Sequence, residues 1–198
     1  PSSFSKKLFW FCALGFLTFE IHAQEIEARA YSNVPVDINF ITGGIAQAKS
    51  STYKLTTEVI NLTHVLDVAG QSGRLSITVP YAQLSGTGTA RGQVINASAE
   101  GLSDPMIKAS VNLYGAPALT ESQFKNYQQD LIIGASLAAT IPWGRYNNEQ
   151  MVNVGGNRTV IQPGIGASQA VGPWRLELAG MASIYTSNAS YKIGRAHV

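Results

Sequence analysis

The sequence predicts an all-β protein, specifically an antiparallel up-and-down transmembrane β-barrel. Short runs of alternating polar and apolar residues are separated by clusters of Gly, Pro, Asn and Ser, which is typical of antiparallel strands. These runs are nine to seventeen residues long, whereas a globular strand has about five or six residues and a membrane-crossing strand needs about 9–11. Short turns and long loops also lie at opposite ends of the predicted sheet, as in bacterial outer-membrane barrels.

Seven runs form the predicted strands. In chain order they are 36–47, 53–69, 74–85, 106–114, 130–141, 158–170 and 174–186. Short turns at 70–73 and 171–173 follow the second and sixth runs, and long loops at 86–105 and 142–157 follow the third and fifth. The segment 116–129 contains Thr120 followed three residues later by Gln123, a capping-box spacing that predicts a short helix.

Each run has its own justification. The first alternates apolar residues with Asp37 and Asn39, the second is rich in β-branched residues, and the third alternates after a Gly-rich turn. The fourth alternates most clearly, and the sixth is weaker because Gly residues and Pro163 interrupt it. The fifth and seventh present apolar faces, formed by Leu131, Ile133, Ala135 and Leu137 in one run and by Leu176 and Leu178 in the other.

The composition excludes several classes of protein. The chain has 198 residues, 45% hydrophobic but only 13% charged, against about 25% charged in soluble domains. A single cysteine excludes a disulfide framework and a multi-cysteine metal site. A net charge of +2 is too small to indicate a nucleic-acid partner.

The N-terminal segment predicts export from the cytoplasm. Lys6 and Lys7 precede an apolar run at 8–19, and Ala23 supplies a small residue after it. This order describes a signal peptide over residues 1–23. Twelve apolar residues are too few for a spanning helix, which needs about 20. The alternative is a buried N-terminal helix.

The C-terminal residues 193–198 (IGRAHV) resemble a reading frame of a sequencing-library adapter, and the alternative is an ordinary polar tail. We therefore expect the folded part to be 24–192, a barrel truncated at its C-terminal end. This part is electrically neutral, because Lys6, Lys7, Arg195 and Glu20 fall outside it. His64 is its one histidine.

Polar residues that alternate with apolar ones predict the lining of a lumen. By this criterion the candidates are Asp37, Asn39, Lys108, Ser110, Asn112, Tyr114, Arg175 and Glu177. Their charges are of both signs, so no strong ion filter is expected. No cluster of His, Cys or carboxylate residues has metal-ligand spacing, and we expect no metal and no cofactor.

Catalysis is not expected. His64 and Asp67 lie three residues apart on one strand and should point to opposite faces. An outer-membrane hydrolase built from distant residues is an alternative, although no nucleophile-elbow motif is present. His64 also shares its face with Ile60 and Leu62, which a bulge or a position near the membrane interface would explain.

A soluble periplasmic barrel of the lipocalin type is the main competing hypothesis, since its strands alternate equally well. The two hypotheses differ in the position of the apolar face of the fifth run. That face would contact lipid in a membrane barrel and would fill the core of a lipocalin.

Four segments carry a resemblance to a known family. They are EARAYSNVPV at 27–36, VPYA at 79–82, ASVNLYGAPAL at 109–119 and GPW at 172–174. Together they resemble the outer-membrane family associated with the meta-pathway of phenol degradation, over roughly 24–191. The resemblance implies a bacterial outer-membrane channel for small hydrophobic or aromatic compounds. It also implies outer-membrane lipid, the solute and the barrel-assembly machinery as partners, and no catalytic residues.

Overall fold

The computed structural model describes residues 30–90, 93–150 and 152–188. The expected signal peptide at 1–23 and the expected adapter segment at 193–198 lie outside these residues, so both stay predictions. The described residues contain no helix with the length and hydropathy that a membrane span requires.

The described chain forms one antiparallel sheet and one short helix. Its strands are β1 (Asn39–Lys49), β2 (Tyr53–Val68), β3 (Gln71–Ala90), β4 (Gln93–Leu102), β5 (Met106–Tyr114), β6 (Leu131–Thr140), β7 (Val160–Val171), β8 (Trp174–Met181) and β9 (Ile184–Tyr185), and its helix is α1 (Glu121–Phe124). The predicted all-β class is therefore confirmed.

The strand order is that of an up-and-down barrel wall. It runs β1-β2-β3-β5-β6-β7-β8, with β4 paired to the far part of β3 and β9 paired to β7. All pairs are antiparallel, and the sheet curls into a half-barrel. The turns at 69–70 and 172–173 and the connection 115–130 therefore share one end of the sheet, which we call the short-turn end.

The prediction of a long loop at 86–105 is wrong. Residues 81–90 of β3 pair with β4 in an extended hairpin, and β2 also pairs with β3 as far as Gly86. Hydrogen bonds between backbones build this ribbon, so its many small side chains do not prevent strand formation. The chain leaves β4 at Ser103, whose N–H donates to the carbonyl of Pro80 at 2.9 Å, and then continues as β5.

Two other predicted elements are shorter than expected. The seventh run breaks after Met181, and its last residues form β9 against Val160 and Ile161. The helix covers one turn, α1, and the Thr120 N–H donates to the side-chain oxygen of Gln123 at 2.9 Å. The capping-box prediction is therefore confirmed, and the helix is shorter than the segment 116–129 in which it was expected.

The two faces of the sheet differ in polarity. The segment 30–38 packs on one face, which we call the inner face, and the opposite one is the outer face. Large exposed apolar side chains on the outer face include Leu75, Ile77, Ile107, Leu137, Ile165, Leu176 and Leu178. A soluble sandwich packs its apolar faces together. Here the apolar side chains are exposed on the face opposite to segment 30–38, which favours the membrane barrel over the lipocalin.

Candidate functional site

The inner face carries a network of hydroxyl and amide groups on neighbouring strands. Asn61 on β2 donates to the Thr78 hydroxyl at 2.8 Å, and the Thr63 hydroxyl lies 2.8 Å from that of Ser76. These groups arise because polar residues occupy alternate positions of strands that pair in register. The inner face of β2 and β3 is therefore a polar wall whose side chains bond to one another.

Closer to the short-turn end, this polar wall becomes buried. The Asn112 amide of β5 donates to the Ser72 hydroxyl of β3 at 2.9 Å, and the exposed fractions of the two residues are 5% and 2%. Burial at this end is caused by the segment 30–38, which lies across the inner face.

Tyr31 is the residue that anchors this segment in the sheet. Its ring lies against Gly134 of β6 and Gly166 of β7, which are directly opposite each other. A Cβ added at these glycines would lie 2.2 Å and 2.4 Å from ring atoms of Tyr31. The phenol oxygen lies 3.2 Å from the Ser136 hydroxyl, and Tyr31 is 9% exposed. The two glycines therefore form a groove for the ring.

Backbone groups of the same segment are held by polar contacts. The Arg74 guanidinium donates to the carbonyl of Ala30 at 3.0 Å and also to that of Ser32. The Asn33 amide donates to the carbonyl of Pro117 at 3.1 Å. Further along, the Val36 N–H donates to the Leu119 carbonyl at 2.9 Å. The segment is thus fixed both to the sheet and to the connection 115–130.

Five of the eight predicted lumen residues lie on the face that Tyr31 contacts. Directly paired residues of adjacent strands share a face. The inner-face residues of β5, β7 and β8 can therefore be identified by following the pairing outward from Gly134 and from the β6 residues on the same side as Gly134. The five residues on this face are Lys108, Ser110, Asn112, Arg175 and Glu177. The Ser168 hydroxyl of β7 donates to Glu177 at 3.3 Å.

The other three candidates lie elsewhere. A β-bulge between Asn112 and Tyr114 inserts one extra residue, so Tyr114 pairs with Ile133 and shares its outer face. Asn39 pairs with His64, which pairs in turn with Leu75 of the outer face.

Asp37, the third of these candidates, precedes β1 in a turn with a φ of 61°, and it is exposed. Simple alternation along the chain therefore does not place these three side chains on the inner face.

His64 lies on the outer face without a bulge. The register of β2 is continuous with both β1 and β3. The Nδ1 atom of His64 lies 3.0 Å from the Asn39 side-chain oxygen, so the two polar groups pair with each other. Asp67 is paired with Ser72 of the inner face and accepts a hydrogen bond from the Gly70 N–H at 2.7 Å. His64 and Asp67 therefore do not form a dyad.

Within 30–90, 93–150 and 152–188, no group of three or more His, Cys, Asp or Glu residues is placed to hold a metal ion.

Tyr127, in the connection 115–130, carries a shifted pKa. Its hydroxyl donates to the Gly115 carbonyl at 2.7 Å. Burial raises the pKa of the Tyr127 phenol and outweighs the opposing effects of the Asn33 hydrogen bond and the Arg175 charge, while Asp130 adds to the increase.

We therefore expect Tyr127 to ionise at a higher pH in the folded protein than in the unfolded chain. The stabilisation by its neutral form is complete below the unfolded pKa of about 10 and is lost as pH rises through the higher folded pKa. The phenolate absorbance of the wild type minus that of Tyr127→Phe measures this titration. A difference curve centred at or below pH 10 would contradict the expectation.

A family model described as "Putative MetA-pathway of phenol degradation" matches residues 35–196. The chain belongs to this family. The resemblance inferred from the four sequence segments is therefore confirmed, and the match covers most of the chain. A comparison with curated proteins gives no match.

The fold of this MetA-pathway family member is similar to that of a solved protein. The crystal structure of an outer membrane channel from Pseudomonas putida F1 matches it with a TM-score of 0.68 and 21% sequence identity. The match covers 85% of this chain and 64% of the P. putida channel. The chain thus spans slightly less than two thirds of that channel, and the likeness establishes the fold.

Several residues of the site were not singled out from the sequence of this family member. Tyr31, Arg74 and Ser136 meet only because segment 30–38 crosses the sheet, and Tyr31 and Ser136 are 105 residues apart. One signal was available. Gly134, Gly164 and Gly166 recur at alternate positions on the same face of two adjacent strands, and such glycines indicate a close approach by another part of the chain.

Proposed function

We propose that the protein is a passive outer-membrane channel for small hydrophobic or aromatic compounds. The observation that carries this proposal is the polarity of the curled sheet, with its apolar face outward and its polar face inward. A barrel in a bilayer needs an apolar outer band and can keep a polar interior. The family description and the similarity to the P. putida channel support the same function.

The inner-face residues would set which solutes pass. Lys108 and Arg175 bring positive charge to this face and Glu177 brings negative charge. Because both signs are present, we do not expect selection by ionic charge. Small residues along β6 and β7 leave room for a solute, and passage would follow its concentration gradient.

The proposed partners follow from this role. Outer-membrane lipid would surround the apolar outer face. Export through the predicted signal peptide and insertion by the barrel-assembly machinery would bring the chain to the membrane. Closing the half-barrel would satisfy the open strand edges, because unpaired backbone groups are costly in hydrocarbon.

Cysteines on the two faces of β6 test the proposal. Leu137 is 54% exposed on the outer face, and Thr140 is partly exposed on the inner face. In the full-length protein, we expect a bulky water-soluble thiol reagent to modify Thr140→Cys and to slow uptake of a radiolabelled monocyclic aromatic compound at least about tenfold. Leu137→Cys should react with a lipid-phase reagent and leave uptake unchanged, since its side chain lies outside the lumen.

The same two cysteine variants can also contradict the proposal. Reaction of Leu137→Cys with the water-soluble reagent alone would indicate a soluble barrel. Unchanged uptake after complete modification of Thr140→Cys would mean that this face does not conduct the solute. Uptake that does not depend on the protein at all would overturn the channel function.

A further inference from the structure

We infer that the groove beneath Tyr31 is a binding subsite for a hydroxylated aromatic ring, and that Tyr31 is a built-in competitor for it. The inference rests on the proposed channel function and adds to it a defined binding position on the inner face. Its evidence is the way in which the sheet accommodates the tyrosine side chain.

Two glycines form the floor of the subsite, with the Asn112 side-chain oxygen and the Ala179 methyl group beside them. Gly134 and Gly166 are directly opposite each other on β6 and β7, and a Cβ at either position would overlap the Tyr31 ring. By contrast, Gly44 on the inner face of β1 has nothing within 4 Å of its added Cβ. The absence of side chains at Gly134 and Gly166 therefore creates a ring-sized depression in the sheet.

The subsite also recognises the hydroxyl group of the ring. The Ser136 hydroxyl lies 3.2 Å from the Tyr31 phenol oxygen, and a serine hydroxyl can either donate or accept. Gly164 leaves room for the Ser136 hydroxyl in this position, since an added Cβ would lie 2.8 Å from the Ser136 oxygen. A glycine floor with a hydroxyl at its end suits a phenol better than a ring without a polar group.

The neighbouring space would allow substituents on the ring. A cavity of about 160 Å³ adjoins Tyr31 between β7 and β8, and its inner-face lining includes Ser168, Glu177 and Ala179. This part of the cavity continues the groove from β7 toward β8. The side chain of tyrosine is itself para-cresol attached to the backbone, so a free phenol of that size fits where Tyr31 now lies.

Docking of Tyr31 and binding of the solute exclude each other, because both use the same groove. A tethered side chain has an effective concentration in the range of about a millimolar or more. Free solute must therefore compete with Tyr31, and bound solute must in turn weaken docking of segment 30–38 by the same factor. The solute would thereby favour release of the segment that covers the inner face.

The test measures binding of para-cresol to the purified full-length protein by calorimetry, with toluene as the analogue that lacks the hydroxyl. We expect Tyr31→Ala to bind para-cresol at least about tenfold more tightly than the wild type, because the competitor is gone. In this background, Ser136→Ala should weaken para-cresol binding about fivefold and leave toluene binding unchanged.

Matched glycine variants separate the groove from general effects. In the Tyr31→Ala background, Gly134→Ala should abolish para-cresol binding because its Cβ enters the groove, whereas Gly44→Ala should not affect it. Equal affinity of wild type and Tyr31→Ala for para-cresol would overturn the subsite, as would binding that survives Gly134→Ala. If aromatic uptake persists in that case, the channel function stands and only the subsite fails.

Discussion

Gly115→Ala is expected to prevent assembly of the sheet. Gly115 has a φ of +79°, and a Cβ there would lie 1.8 Å from the carbonyl oxygen of Leu131, the first residue of β6. Relieving this overlap requires β6 to move away from β5. Backbone strain and overpacking together should cost about 3 kcal/mol or more.

Gly70→Ala is the matched control for this effect. Gly70 has a similar φ of +81°, but nothing lies within 4 Å of its added Cβ. It should therefore show the left-handed backbone cost alone, about 1–2 kcal/mol. The heat-dependent shift in gel mobility of the full-length protein measures assembly. We expect the shift to be lost in Gly115→Ala and kept in Gly70→Ala, and equal behaviour of the two would refute the overlap argument.

Arg74→Ala is expected to release segment 30–38 and to raise the ion conductance of the proposed channel severalfold. The guanidinium of Arg74 donates to two carbonyls of this segment. Hydrogen bonds to charged groups contribute about 1.5–3 kcal/mol each. Their loss should therefore shift the segment toward an undocked state, and single-channel recordings in planar bilayers would measure the result.

Two further variants show whether the geometry of Arg74 or its charge is responsible. Arg74→Lys keeps the charge but lacks the planar fork that reaches both carbonyls, so an intermediate conductance is expected. Arg158→Ala removes the same charge at the opposite end of the sheet, where Arg158 lies 4.6 Å from the centre of the Tyr185 ring, and it should behave as the wild type. A wild-type conductance in Arg74→Ala would show that Arg74 does not hold the segment.

Much of the fold could be predicted because alternation reports directly on which side of a strand each residue faces. The fourth run, 106–114, matches β5 in both of its ends. The hairpin from β3 to β4 was missed because its Gly, Ala and Ser residues give little contrast between the two faces. Its strands are specified by backbone pairing, for which the side-chain pattern is a weak signal.

The candidate site could be predicted only where a strand stays regular. Lys108, Ser110 and Asn112 lie on one face of β5, but the bulge that follows moves Tyr114 to the other face. A single inserted residue gives no clear signal in the sequence, although it moves every later side chain of the strand to the opposite face of the sheet. The docking of Tyr31 depends on a contact between distant parts of the chain, which local patterns cannot reveal.

The long-range attachment of segment 30–38 also has a kinetic consequence. Most strand pairs join neighbours in the chain, so the sheet can grow hairpin by hairpin with short loops to close. The contact between Tyr31 and Ser136 spans 105 residues and needs β6 and β7 already in place. Segment 30–38 should therefore be the last part of the described chain to fold and the first to unfold. It would unfold locally, as a separate unit, while the sheet stays folded.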